Sequence, residues 1–329
     1  MKFSIITACK NRLSHLKESL PAMLVQPDSE VIVVDFSCGE GTAEYVRTYH
    51  PQARIVEVPG KDYSSNWEAR NAGAAAATGE WLVFVDADVI LNKDCVSWLD
   101  ENMKPGIYAK FKPGKQLERL KSNTSAISLN NLQGFLVIRR PAFDRVGGYD
   151  ELLRGWGAGG DVDIQNGLAF ARIKKTFLPE HIVDRIIEHG DDLRFAHTGG
   201  SFRRSFIQNL LYRELKRFLM PILGQPIPLE TRKKVYAATL KAATSARGRS
   251  TSARADVILA RRPVEMRRRL GHPKAEIQIS LRAMVDHLEI APPQQQAAGA
   301  RPAAPAAAPA ESAAPATPAA AAKAEQLPN

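Results

Sequence analysis

The chain has 329 residues, 44% of them hydrophobic, enough for a large core in one or two domains. Its formal charge is +10, yet 19 lysines and arginines stand against 7 acidic residues between Ser201 and Ile290, a surplus of 12 that leaves the rest near −2. Three cysteines without zinc-type spacing argue against a disulfide framework and fit reduced thiols in the cytosol. No apolar stretch approaches the roughly eighteen residues that span a bilayer, and Phe3 to Ala8 behind Lys2 is too short for a signal-peptide core.

Phe3 to Ala8 reads as a first strand, and Ser14 to Val25 as a helix, with Leu16, Leu20, Met23 and Leu24 at helical spacing. Val31 to Asp35 is a second strand tipped with an aspartate. Gly39 to Thr42 turns into a helix over Ala43 to Tyr49, Arg54 to Val58 is a third strand, and Asn66 to Ala77 is a helix rich in Ala and Gly. This alternation over about ninety residues predicts an α/β fold with a mainly parallel sheet. Farther on, Cys95 to Met103 reads as a helix, and Gly106 to Phe111 and Gly134 to Arg139 as strands. The glycine-laden stretch Gly155 to Gly160 leads to Asp161-Val162-Asp163 at a helix start, where carboxylates complement the helix's positive end. A last strand is expected around Lys175 to Pro179, then basic helices. From about Ala291 the chain is Ala, Pro and Gln with almost nothing to bury, which predicts a disordered tail.

The apolar run Trp81 to Val85 ends in Asp86-Ala87-Asp88. Carboxylates do not belong inside a buried parallel strand, whereas the crevice beyond such strand ends is where ligands bind. Two hard oxygen ligands one residue apart suit Mg²⁺ or Mn²⁺, with ligand phosphates and water completing the shell. The alternative is a solvated turn.

Taken together, these segments resemble family 2 glycosyltransferases of the GT-A fold, with a second half similar to the galactosyltransferase C-terminal module. Val31 to Ser37 followed by Gly39-Glu40-Gly41-Thr42 resembles the family's "VVDdgStDgT". Ala69-Arg70-Asn71-Ala72-Gly73 with Ala77-Thr78-Gly79-Glu80 resembles its "RNxG … A.G" segment. Val85 to Asp88 matches its Asp-x-Asp, and Gly160 to Asp163 resembles its later "EDxD", with Gly160 in place of Glu. The resemblance covers residues 1–200. It implies a GT-A nucleotide-diphospho-sugar transferase domain over 1–200, followed by the basic helical extension 201–290 and the tail 291–329.

The resemblance also implies roles. Asp35 would accept hydrogen bonds from the uracil or ribose of a nucleotide sugar. Arg70 would bind the nucleotide or diphosphate, the alternative being an exposed helix-face arginine. Asp86 and Asp88 would hold Mn²⁺ or Mg²⁺ against the diphosphate, Asp88 more directly, and His189 resembles a metal-ligand histidine that would favour Mn²⁺. A surface loop histidine is the alternative there. Asp161 would be the base that takes the acceptor hydroxyl's proton, with Asp163 in reserve, at the acceptor or as a helix cap. Trp156 would stack on a sugar face or else pin its loop.

The expected activity is therefore metal-dependent, inverting transfer of a sugar from a nucleotide sugar, a UDP-sugar in the first instance, to a glycan acceptor in surface polysaccharide synthesis. A nucleotidyltransferase would need a glycine-rich loop after the first strand, which Cys9-Lys10-Asn11-Arg12 is not. The rival of another class is a catalytically degenerate GT-A protein acting as a membrane or polyanion adaptor. In either case the expected location is cytoplasmic. A peripheral inner-membrane contact would use the basic helices, with Phe206, Leu210, Leu211, Leu215, Phe218 and Leu219 as an apolar face, and no nucleic acid is expected.

Overall fold

The computed structural model describes residues 1–112, 132–154, 159–187, 202–245, 250–264 and 275–289. Trp156, His189 and the tail expected to be disordered lie outside them.

The first ninety residues alternate as the periodicity predicts. They form β1 Phe3–Cys9, α1 Leu13–Leu24, β2 Ser29–Asp35, α2 Thr42–Tyr49, β3 Arg54–Glu57, α3 Asn66–Ala76 and β4 Trp81–Phe84. The chain continues through β5 Val89–Leu91, α4 Cys95–Asn102, β6 Ile107–Lys110, β7 Leu136–Arg139, α5 Arg140–Val146, α6 Gly160–Phe170, β8 Lys174–Phe177 and β9 Val183–Ile186. Helices α7 Phe202–Leu223 and α8 Leu229–Ser245 and strands β10 Ser250–Val264 and β11 Ala275–Glu289 follow.

One seven-stranded sheet, ordered β3-β2-β1-β4-β7-β6-β8, carries the fold. Strands β3, β2, β1 and β4 are mutually parallel. Strand β7 runs antiparallel to both β4 and β6, and β6 is parallel to β8. β6 therefore points the same way as β1, β2 and β4, and all four deliver their C-terminal residues to one edge.

Alternating side chains of each strand enter two cores. Val31 and Val33 of β2 join Leu16, Leu20 and Met23 of α1 and Leu99 of α4 on one face. Ile32 and Val34 join Trp67 of α3, Phe143 of α5, Leu168 of α6 and Leu215 of α7 on the other. A strand covered on both faces reads as a continuous apolar run, hence the legibility of β2 and β4. Helix α3 starts cleanly because the Ser65 hydroxyl accepts a hydrogen bond from Glu68 N at 3.2 Å, a cap worth about 1 kcal/mol.

β4 ends at Phe84, so Asp86 lies just beyond the strand. Ile207, Leu211, Leu215, Leu219 and Met220 of α7 belong to the second core. One expectation is corrected: the extension is not helical throughout, since Ser250–Val264 and Ala275–Glu289 pair as antiparallel strands. Ile277, Ile279, Leu281, Ala283 and Val285 alternate with Gln278, Ser280 and Arg282, the period-2 pattern of a strand, and Ala253, Ala255, Val257 and Leu259 alternate likewise.

Candidate active site at the C-terminal strand edge

The loops after β1, β2 and β4 and the last residue of β6 meet at one edge. Asp35, the last residue of β2, is buried and holds its loop: Cys38 N donates to Oδ1 at 2.7 Å and Ala43 N to Oδ2 at 3.0 Å. Helix α2, whose N-cap is Gly41, thus takes a carboxylate cap from the end of β2. Lys10 ties three loops together by donating to the carbonyls of Phe36 at 3.2 Å, Ser37 at 3.3 Å and Lys61 at 2.8 Å.

Cys38 stands in the same loop. A hydrogen bond from Cys9 outweighs burial and pulls the Cys38 thiol down to about 5, while Cys9 is pushed up, first by that bond and then by burial. Cys38 is half-buried, and Cys9 and Cys95 are buried. Iodoacetamide at pH 6 is therefore expected to label Cys38 ahead of the other two, because a thiolate is the reactive form. Equal labelling of all three cysteine peptides in the native protein would contradict this.

Arg70 of α3 organises the centre. Its guanidinium, 2% exposed, donates to Asp86 Oδ1 at 2.6 Å and to the Tyr149 hydroxyl at 3.2 Å, and lies 3.6 Å from Asp161 Oδ1. The rings of Trp67, Phe84 and Tyr149 surround it, 5.5 to 5.9 Å from its central carbon. The expected diphosphate ligand is thus an internal counter-ion to two carboxylates, since α3 lays Arg70 against the end of β4 instead of on an open helix face. Burial raises the Asp86 pKa despite Arg70, and the Asp88 and Asp161 charges add to the rise. Asn71 clamps the neighbouring loop, donating to Tyr149 O and accepting from Tyr149 N, both at 2.9 Å.

Asp88 is 5% exposed, with Arg12 Nη1 3.7 Å from its Oδ2. Its backbone carbonyl accepts from Ile187 N at 2.7 Å, so the chain just after β9 runs beside the Asp-x-Asp, two residues short of His189. The close fit extends to Gly134, where a Cβ would come 2.0 Å from Asp86 Oδ2 and 2.7 Å from Arg70 Nη2.

Asp161 sits in the first turn of α6, facing Arg70 and, equally at 3.6 Å, Lys110 Nζ. Lys110 ends β6 and is 1% exposed; burial lowers its pKa against the pull of Asp161. Gly160 has a spatial reason: a Cβ there would lie 2.4 Å from the Trp67 indole, which fills the place of a side chain. Trp67 in turn stacks on Tyr149 at 5.3 Å.

Asp163 is turned away from this edge, which corrects its assignment to the acceptor. Two residues along a helix lie about 200° apart, so Asp163 points inward when Asp161 faces the site. Lys216 of α7 bridges Asp163 Oδ2 and Asp150 Oδ2, each at 2.7 Å. Asp150 also accepts from Arg232 at 2.8 Å and the Tyr212 hydroxyl at 2.7 Å. Burial pushes both carboxyls up, yet Lys216 and Arg232 outweigh it at Asp150, which ends low, whereas Asp163 stays high.

The sequence reading missed Arg12, Lys110 and Lys216. Lys110 carried the same signal as the Asp-x-Asp, a charge closing the apolar run Ile107-Tyr108-Ala109. Lys216 carried none, being one of many lysines in a basic helix.

A mostly parallel seven-stranded sheet with flanking helices, presenting acidic strand ends with a helix-borne aspartate beside them, matches the GT-A fold. Residues 4–146 match the profile described as "Glycosyl transferase family 2". The match stops short of Gly160 to Asp163 and His189. Over 121 residues the chain is 28% identical to the poly(ribitol-phosphate) beta-N-acetylglucosaminyltransferase TarS of Staphylococcus aureus, covering 34% of this chain and 21% of that relative. The chain thus spans about a fifth of the length of the curated relatives it matches. The crystal structure of S. aureus TarS 1-349 in complex with UDP-GlcNAc is similar in fold at a TM-score of 0.50 and 18% identity, over 74% of this chain and 72% of that one. The mannosyltransferase PcManGT from Pyrobaculum calidifontis, in complex with GDP-Man and Mn²⁺, gives a TM-score of 0.45 at 17% identity over 75% and 76%.

Proposed function

We propose that this protein is a metal-dependent, inverting glycosyltransferase that moves a sugar from a UDP-sugar to a glycan acceptor in surface polysaccharide synthesis. The observation that carries the reading is the convergence of Asp86 and Asp161 on buried Arg70, with Asp88 two residues beyond Asp86 in the Asp-x-Asp. Three groups from α3, the β4 loop and α6 meet there at a cost in desolvation that a solvated turn would not incur. The relatives named for N-acetylglucosaminyl transfer support a UDP-linked hexosamine as the first donor to test.

Asp35, held at the end of β2, retains lone pairs for the nucleoside, since each carboxylate oxygen accepts more than one hydrogen bond. Asp88 and Asp86 would hold the divalent cation. Among the described residues no three His, Cys, Asp or Glu side chains gather as a metal cage, which fits an ion taking most of its shell from phosphates and water. The bond from Ile187 N to the Asp88 carbonyl supports His189 as a further ligand. When bound, such a cation neutralises charge on the departing nucleoside diphosphate. Asp161, flanked by Arg70 and Lys110, is positioned to accept the acceptor's proton.

The test is calorimetric titration of UDP and UDP-GlcNAc with and without Mn²⁺, for the native protein and Asp88→Ala. Tight binding only with Mn²⁺, lost in the variant, is the expected result. Binding that ignores both the metal and the substitution would remove the metal-dependent reading.

Peripheral membrane contact has narrower support than the sequence suggests. Leu211, Leu215 and Leu219 are consumed in the core, leaving Phe218, Ile222 and Leu223 exposed on α7 beside Arg217. No described helix is long and apolar enough to cross a membrane. Sedimentation with anionic vesicles should fall severalfold in Phe218→Ser/Ile222→Ser, and vesicle binding equal to that of the native protein would exclude this face.

A further inference from the structure

Lys110 is a buried cation whose pairing with Asp161, at 3.6 Å, leaves its hydrogen-bonding capacity unused. Its Nζ makes no hydrogen bond among the described residues, and the Asp161 Oδ1 it faces makes none either. The two atoms stand 3.6 Å apart, too far for a hydrogen bond between an ammonium and a carboxylate, which settle at roughly 2.7–2.9 Å when they pair. Leaving both unsatisfied is unfavourable, so each is oriented toward a third group.

The chemistry of that group follows from its two neighbours. It must accept from an ammonium and donate to a carboxylate, which a hydroxyl does and a phosphate or carboxylate does not. An anion drawn to Lys110 would be repelled by Asp161. Position narrows it further: in the sheet order β4-β7-β6, Lys110 lies two strands beyond the Asp-x-Asp strand, on the side away from Asp35. Asp161 Oδ1 already faces Arg70 and Lys110, leaving Oδ2 for proton transfer.

We propose that Lys110 and Asp161 Oδ1 hold one ring hydroxyl of the donor's sugar, making Lys110 a donor-sugar-binding residue. This rests on the glycosyltransferase reading above. It adds to that reading a residue that discriminates sugar nucleotide from bare nucleotide.

The experiment compares UDP with UDP-Glc, UDP-Gal, UDP-GlcNAc and UDP-GalNAc by calorimetry in the presence of Mn²⁺, for the native protein, Lys110→Met and Lys110→Arg. The native protein is expected to bind at least one of these sugars more tightly than UDP. Lys110→Met should bind UDP as the native protein does and lose that preference by about ten-fold, the value of a hydrogen bond to a charged group; Lys110→Arg should recover part of it. With the preferred donor, monodeoxy analogues should show one position whose removal costs the native protein the same factor and costs Lys110→Met nothing. That comparison also stands on the native protein alone: if Lys110→Met does not fold, a native protein indifferent to every deoxy position overturns the proposal. So does a Lys110→Met protein with the full sugar preference. A native protein that binds UDP but no sugar more tightly also overturns it, leaving the transferase reading intact, whereas one that binds neither UDP nor any UDP-sugar removes both.

Discussion

Asp161→Asn is expected to lower sugar transfer by about 10²- to 10⁴-fold while leaving donor binding nearly intact, the loss typical of a removed general base. The carboxylate stands at the start of α6, 3.6 Å from both Arg70 and Lys110. Asparagine keeps its shape and can still hold a hydroxyl, but it cannot take a proton. Arg70 keeps its 2.6 Å bond to Asp86 in the variant, and the asparagine oxygen still faces Lys110. Turnover of a radiolabelled UDP-sugar, with UDP titrated in parallel, separates the two effects. Wild-type turnover in Asp161→Asn would end its assignment as the base, and loss of UDP binding would make it structural.

Lys216→Met is expected to destabilise the protein by about 3–5 kcal/mol, the cost of removing one partner from a buried ion cluster. At roughly 2–4 °C per kcal/mol for domains of this order, the midpoint should fall by about 10 °C. Lys216 is shared by Asp150 and Asp163, whose side chains are at most 2% exposed, and Asp150 is also paired with Arg232 at 2.8 Å. Asp163, already raised by burial, would hold its proton still more tightly folded than unfolded without Lys216, so the variant should regain stability as pH falls, and its gap to the native protein should narrow below pH 8. Adding Asp163→Asn to Lys216→Met should recover part of the loss. A melting curve for Lys216→Met that overlays the native one at pH 8 would show that the cluster does not hold α7 to α6.

These two residues mark how far the sequence could be read. Asp161 was found because it follows a glycine-rich stretch and opens a helix, a local signal that resembles a family motif. Lys216 lies 53 residues from Asp163 and 66 from Asp150, and its partners become neighbours only when α7 docks. Asp163 was misread for the same reason, since its spacing from Asp161 was visible but the interior it faces was not. The hairpin β10–β11 was legible in its alternation and was obscured by reading the segment for charge.

The strands that run into Asp35 and Asp88, the helices between them and the small residues of the Asn66 helix follow from local periodicity and strand-end chemistry, which need only neighbours in the chain. The sequence therefore suffices for the parallel half of the sheet and for which carboxylates reach its edge. What those carboxylates face came only with the packed structure: Arg70 turned inward, Trp67 in the space beside Gly160, and Lys110 across from Asp161. Burial and counter-charge come from segments far apart in sequence, so the same aspartate can be a ligand, a base or a buried strut until the fold selects its partners.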